Sequence, residues 1–149
     1  MKNKRSKRAF SMIELVFVIV IIGILAAVAV PRLAATRDDA EITKARTLVA
    51  SIRNALAMER QKRILRGDFT AITAVGSGTN VFDKFSADKN NKQADVLEYP
   101  IVSSTVSGHW SFSNDEYTFH QNTLSDPIFV IDNGKFVCKT GSDCKQLTN

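Results

Sequence analysis

A single carboxylate, Glu14, lies near the start of an almost uniformly apolar run that extends from Phe10 to Val30. An ionised side chain in such a run costs roughly 2.5–3.5 kcal/mol at the centre of a membrane and less near an end. A carboxylate kept there therefore predicts a partner of opposite charge, supplied by another chain or by a free amine. The chemistry it suggests is ion pairing between subunits, not catalysis.

The cysteines form the second candidate site. Cys138 and Cys144 are close in sequence near the C-terminus, and this spacing favours a small disulfide loop made in an oxidising compartment. Two free thiols remain the alternative. A zinc site is disfavoured because a structural site needs four ligands, and His109 and His120 are the only other soft ligands in the chain.

No catalytic constellation stands out. His109 and His120 have no Cys or Ser partner at a recognisable spacing, and we expect them on strands or at strand edges. Neither a glycine-rich phosphate-binding motif nor a pair of carboxylates in a predicted pocket is present. The residues Asp88, Asn90 and Asp95 weakly resemble a calcium loop, but its glycine and terminal Glu are missing. We therefore predict no enzyme, no cofactor and no metal.

The apolar run is long enough to span a membrane. As a helix its 21 residues would measure about 32 Å, and a hydrocarbon core is about 30 Å thick. Three interpretations compete: a plain signal anchor, a cleaved signal peptide for which Ala27-Val28-Ala29 offers a cleavage site, and an assembly segment in which Glu14 has a function. By the positive-inside rule, the bases in front of the run place this end in the cytoplasm. They are Lys2, Lys4, Arg5, Lys7 and Arg8.

The stretch AFSMIEL, from Ala9 to Leu15, together with the apolar run after it, resembles the class III signal of type IV pilins and type II secretion pseudopilins. That pattern has a basic leader, a small residue before the cut, an aromatic first mature residue and Glu in fifth place. With Phe10 first, Glu14 is fifth, and Gly23 and Pro31 stand where many members carry Gly and Pro. The resemblance covers about residues 7–66.

The resemblance implies a processing and assembly route. A membrane aspartyl peptidase would cut between Ala9 and Phe10 and methylate the new Phe10 amine. Glu14 would then pair with the Phe10 amine of a neighbouring subunit, and Gly23 and Pro31 would allow the helix to kink. One residue departs from the pattern: the family nearly always has Gly before the cut, so Ala9 predicts slower cleavage. By analogy with calcium-binding pseudopilins, Asp126, Asp132 and Asp143 are weaker ligand candidates.

The residues after the apolar run predict an amphipathic helix from Arg32 to Arg66. Its apolar residues recur at three- and four-residue steps, Pro31 should kink or locally open it, and Gly67 is a suitable C-cap. The stripe consists of Ala45, Leu48, Val49, Ile52, Ala55 and Leu56.

The C-terminal half predicts a small antiparallel sheet. From Glu98 onward the apolar period is two, and Asn133-Gly134 is a strong hairpin signal. A meander of three to five strands would pack one face on the helix stripe, while residues 67–93 form a loop with a packed turn at Val81, Phe82 and Phe85. The expected strands are Tyr99–Val106, His109–Ser113, Glu116–Gln121, Ile128–Asp132 and Lys135–Lys139.

The fold class is therefore α+β, with a long N-terminal helix packed on a small antiparallel sheet. We divide the chain into a basic leader (1–9), a transmembrane and assembly helix (10–31), a helical stem (32–66) and a globular head (67–149). The leader holds the whole formal net charge of +5. The stem is basic and the head acidic, which favours attraction between subunits; an ordinary solvated helix face is the alternative. Nucleic-acid binding is weakly supported.

The predicted function is that of a structural filament subunit, first of all a type II secretion pseudopilin. The alternatives are a minor pilin of a DNA-uptake pilus and the major pilin of an adhesion or motility pilus. The predicted partners are other pilin-like subunits, the inner membrane, the prepilin peptidase and the assembly platform. We expect a single-pass inner-membrane protein with a cytoplasmic N-terminus and a periplasmic head, or an extracellular filament.

Overall fold

The computed structural model describes residues 10–122, 125–141 and 144–148. The chain divides into two compact units, Met1–Arg37 and Asp38–Asn149, which we refer to as the N-terminal unit and the head unit. The leader predicted at residues 1–9, including Ala9, lies outside the described residues.

Helix α1 extends from Met12 to Leu65 and supplies residues to both units. Near its start, the Leu15 amide donates to the Ser11 carbonyl at 3.1 Å, and Glu14 in the first turn is favourably placed for the helix dipole. The helix continues through Pro31, so this proline does not end it; the kink there stays a prediction.

The C-terminus of α1 is closed by Gly67, as predicted. Gly67 has a φ of +66°, its amide donates to the Ile64 carbonyl at 2.9 Å, and the Asp68 amide donates to the Arg63 carbonyl at 2.8 Å. These two bonds are the pair that defines a Schellman motif. A residue without a Cβ is favoured here because the left-handed conformation crowds every other side chain.

The predicted apolar stripe of α1 forms one side of the head core. Ala45, Val49, Ile52 and Leu56 are buried, and Leu48 and Ala55 pack against the same core partly exposed. The amphipathic pattern is therefore confirmed for the part of α1 that belongs to the head unit.

The head unit contains two antiparallel sheets. The larger has the order β3-β4-β5-β6, a simple meander, and the smaller pairs β1 with β2. The strands are β1 (Asn80–Val81), β2 (Ile101–Val102), β3 (Trp110–Ser113), β4 (Glu116–Phe119), β5 (Ile128–Asp132) and β6 (Lys135–Thr140), followed by helix α2 (Cys144–Thr148).

The four predicted strands from residue 109 onward are confirmed, but the expected strand Tyr99–Val106 is wrong in length and partner. Only Ile101–Val102 is a strand, and it pairs with β1, which was not predicted. The Ser103 amide still donates to the Thr79 carbonyl, just before β1, at 3.3 Å, but the Ser104 amide donates to the Trp110 carbonyl of β3 at 2.9 Å. The chain therefore turns from β1 toward β3 at this point.

Two tight turns fix the register of the meander. Asn133 and Gly134 have φ values of 49° and 71°, which are the positive values that a type I′ hairpin requires. Asn114 and Asp115, between β3 and β4, have 52° and 62°. The turn at Asn133-Gly134 was predicted. The turn at Asn114-Asp115 was not; it lacks glycine and relies on the tolerance of Asn and Asp for this conformation.

An aromatic cluster fills the head core around Phe82, which is fully buried with a φ of 59°. Its ring stacks on Tyr117 and meets Trp110 and Phe136 edge-on, with centroids 5.3–5.7 Å apart. The Tyr117 hydroxyl accepts the Val75 amide at 2.8 Å, and burial raises the pKa of Tyr117 to about 12. The packed turn predicted at Val81, Phe82 and Phe85 is thus part of the core.

Candidate assembly segment

The apolar part of the N-terminal unit, residues 10–33, buries none of its large side chains within the described chain. Phe10 is 78 % exposed, Ile13 77 % and Leu33 70 %. Monomeric soluble proteins rarely expose a continuous apolar surface of this kind. An 18-residue window of α1 reaches a mean hydropathy of 3.1, so this helix is long and apolar enough to cross a membrane.

Glu14 lies on this exposed apolar helix, in its first turn. It makes no ion pair or hydrogen bond with any side chain in the described parts of the chain. Phe10 precedes the helix, four residues before Glu14, and is also exposed. Glu14 and Phe10 are thus exposed at one end of the segment, and their pairing between subunits stays a prediction.

Gly23 and Pro31 occupy the same exposed stretch of helix. A Cβ atom added at Gly23 would meet no heavy atom within 4 Å, so nothing within the described chain requires glycine there. The predicted role of Gly23 in a helix kink is not steric and stays a prediction.

A buried charge network in the head unit was not predicted. Arg63 is 2 % exposed; its Nε lies 3.1 Å from Oε1 of the buried Glu59, and its Nη2 donates to the Ser86 carbonyl at 2.5 Å. Arg66 Nη2 lies 3.6 Å from the same Glu59 oxygen. The signal in the sequence that could have revealed the first pair is the i, i+4 spacing of Glu59 and Arg63.

Asp68 anchors the chain just after α1. Hydrogen bonds from the Thr70 side chain and amide, together with one from the Lys89 amide, lower the pKa of Asp68 to about 2. Lys89 Nζ also donates to the Arg66 and Gly67 carbonyls at 3.2 and 3.1 Å. The loop after α1 is thereby tied to the helix end by charge-assisted bonds.

The residues that resemble a calcium loop are engaged in other contacts. Asp88 Oδ1 accepts hydrogen bonds from the Asn90 and Lys92 amides at 2.9 and 2.8 Å. The bond from Lys92 is the main reason why the pKa of Asp88 is lowered. Asp95 forms an ion pair with Lys84 at 3.3 Å. Across the described ranges, no three His, Cys, Asp or Glu side chains are grouped so that they could hold a metal ion. Asp143 lies outside those ranges.

His120 has partners that sequence spacing did not reveal. Its Nε2 is 2.8 Å from Ser111 Oγ, and its Nδ1 is 2.7 Å from Asp126 Oδ2. The meander brings the three together, since the β3–β4 pairing places Ser111 opposite Thr118, and His120 lies two residues beyond Thr118. His109 Nδ1 contacts the Ser107 carbonyl at 3.1 Å. Both histidines lie at strand ends, as expected, and the His120 contacts join β3 to the chain before β5.

Cys138 and Cys144 are disulfide-bonded, with Cα atoms 6.1 Å apart. The bond joins β6 to helix α2, whose Leu147 is buried in the core. The Gln146 carbonyl accepts Arg46 Nε of α1 at 2.7 Å. The predicted disulfide is confirmed, and the bond from Arg46 to Gln146, which was not predicted, also attaches the C-terminal segment to α1.

Comparison with known proteins finds a motif near the N-terminus and two related proteins. Residues 4–30 match the prokaryotic N-terminal methylation motif. The chain is 29 % identical over 128 residues to the type IV narrow pilus major component PilA5 of Thermus thermophilus, covering 86 % of this chain and 90 % of that protein. It is 40 % identical over 58 residues to the type II secretion system core protein G of Vibrio cholerae, covering 39 % and 40 %. No solved structure matches the chain.

Proposed function

We propose that this type IV pilin-like chain, a structural subunit and not an enzyme, builds the filament of a type II secretion system after its leader is removed. The observation that carries the proposal is the exposed apolar part of the N-terminal unit, residues 10–33, with one carboxylate, Glu14, in the first turn of α1. Such a surface needs an apolar environment before assembly and after it. Lipid supplies the first, and the same segments of neighbouring subunits supply the second.

The proposed mechanism begins at the leader. Cleavage between Ala9 and Phe10 frees an amine four residues before Glu14. In a bundle of like helices, the Phe10 amine of one subunit and the Glu14 carboxylate of the next neutralise each other. This pairing removes the cost of an unpaired charge in an apolar core. Because apolar surface moves from lipid to protein, its burial is retained while an assembly platform supplies the work.

The choice of a secretion filament rests on the 40 % identity to the type II secretion core protein over 58 residues. A pilus subunit is the second candidate, and the alignment with the pilus component PilA5 favours it because that alignment covers most of the head as well. Deleting this chain distinguishes the two: loss of exported proteins supports the first, and loss of surface pili with intact export supports the second.

Replacing Glu14 tests the assembly mechanism. We expect Glu14→Gln and Glu14→Ala to remain in the membrane as monomers and to give few or no sheared filaments, because the Phe10 amine loses its partner. Filaments are counted by electron microscopy, and the mass of the mature N-terminus verifies cleavage. Asp39→Asn, which neutralises an exposed acid of the head unit, is the matched control and should assemble normally. Parent-like assembly of both Glu14 variants would refute the pairing.

A further inference from the structure

A basic groove runs along the head unit between α1 and the edge strand β6. Its α1 side carries Arg53, Leu56 and Arg60, and its β6 side carries Lys135 and Phe136. The main cleft has a volume of about 460 Å³. A second cleft of about 240 Å³ continues it past Arg60 and Gly134 toward Phe69. We call the two clefts together the basic groove.

Arg63, which lines the second cleft, is paired with Glu59, whereas no ion pair is found for the other cations of the basic groove among the described residues. Arg53 Nε donates to the Phe136 carbonyl at 3.1 Å. Arg60 and Lys135 are exposed and form no ion pair within the described chain. Asp68, which lines the second cleft, is buried and accepts the Thr70 and Lys89 amides. The groove therefore offers positive charge above an apolar floor to an external ligand.

A surface with one exposed carboxylate among exposed apolar side chains lies beside the other edge of the sheet. Glu98 is exposed, and the apolar side chains that follow it are too: Tyr99 is 80 % exposed, Val102 67 % and Val106 62 %. We call these four residues, one acid and three apolar side chains, the acidic patch. It flanks β2, and β1 and β2 contact β3, whereas the groove is bordered by β6. In the strand order β3-β4-β5-β6, these are the two opposite edges.

We propose that the acidic patch of one subunit docks into the basic groove of the next copy, with Glu98 meeting Arg60 and Lys135 and Tyr99 covering the apolar floor. Charge complementarity favours this pairing over contact of either surface with itself. Because the two surfaces lie at opposite edges, the contact is heterologous and repeats in one direction. A heterologous contact that does not close into a ring generates an open helical filament. The inference rests on the proposed filament function and specifies which head surfaces meet.

Charge reversal in the full-length chain, expressed as the only copy in its own cells, tests the docking. We expect Glu98→Lys and Arg60→Glu each to lower the yield of sheared filaments by roughly tenfold or more, since like charges then face each other. The double variant Glu98→Lys with Arg60→Glu should recover most of the yield. Lys92→Glu reverses an exposed head charge outside both surfaces and should assemble like the parent. Normal yield from both single reversals, or no recovery in the double variant, would overturn the docking.

A photo-cross-link provides the second readout. With p-benzoyl-phenylalanine in place of Tyr99, irradiated filaments should give covalent dimers whose cross-linked peptide includes residues 53–60 or 134–137. Cross-links to another part of the second copy, or to a different protein, would contradict the proposal. If the parent and the reversal variants formed filaments but Glu14→Gln did not, the docking would be wrong and the proposed function would still be supported. If the parent chain formed no filaments, both the docking and the proposed function would be wrong.

Discussion

Arg63 shows how one residue fixes the end of a helix to a loop more than twenty residues away. Its guanidinium, 2 % exposed, contacts Glu59 and the carbonyls of Ser86 and Ala87. A buried charge of this kind is tolerated only when it is paired and its donors are satisfied. The contacts therefore position the loop that follows α1 as well as the helix itself.

Removing the Arg63 charge should destabilise the head. Arg63→Met leaves Glu59 buried without its nearest partner, and breaking a buried pair costs about 3–5 kcal/mol. Because Arg66 lies 3.6 Å from Glu59 and still neutralises it in part, the loss in free energy of unfolding should be near the lower end of this range. Denaturant unfolding in detergent measures it. Lys62→Met, one residue earlier and exposed, should change the free energy of unfolding little, and an equal loss in both variants would contradict the role assigned to Arg63.

Because of Asp68, the head unit should be less stable at acidic pH. Its pKa is about 2 in the fold against an ordinary 3.8, because Thr70 and Lys89 donate to the carboxylate. A lowered pKa means that the stabilisation is complete above the unfolded pKa and is lost as pH falls toward 2. We expect the melting temperature to fall between about pH 4 and pH 2. Asp68→Asn should be less stable at pH 6 and show a shallower fall; a parallel decline in both proteins would exclude Asp68 as a source.

At the scale of elements, the helix end is the clearest link from residue type to structure. Gly67 has a φ of +66°, and a Cβ added there meets nothing within 4 Å. The cost of replacing it is therefore conformational and not steric. The turn residues at 114–115 and 133–134 also adopt positive φ values, here between strands.

Gly67→Ala should lower the free energy of unfolding by about 1–2 kcal/mol, the cost of a left-handed L-residue. Gly67→Asn should cost less because Asn tolerates this conformation. Thermal unfolding followed by far-UV circular dichroism measures both. If Ala and Asn were equally harmless, the Schellman motif would contribute nothing to the helix end.

At the scale of the whole molecule, the described core lies in one unit. Every buried apolar side chain of the described residues falls between Ala45 and Leu147, within the head unit Asp38–Asn149. The exposed apolar segment contributes none of them. One unit thus holds the packed core, and the other holds the surface that we assign to membrane and filament.

This division predicts that residues 38–149, exported to an oxidising compartment, fold without the N-terminal unit. We expect a soluble monomer by analytical ultracentrifugation, with the Cys138–Cys144 disulfide formed and a single cooperative unfolding transition. The same truncation should abolish membrane association and filament formation. An aggregated or unfolded product would show that the head needs the removed segment for its stability.

The sequence by itself determined what depends on local pattern. A long, almost uniformly apolar run must leave water, and apolar residues at three- and four-residue steps must face a core. Gly67 must end the helix, and Asn133-Gly134 must turn the chain. These give α1, the four-stranded meander and the α+β class. The methylation motif belongs to this group, because its residues are adjacent in sequence.

Only the tertiary structure decided the contacts between distant residues. It paired Ile101–Val102 with β1 and not with the meander, buried Arg63 against the loop at 86–87, and joined Ser111, His120 and Asp126. It also left Arg60 and Lys135 exposed beside an edge strand. Such contacts depend on how strands and loops close around the core, and no local period encodes that closure.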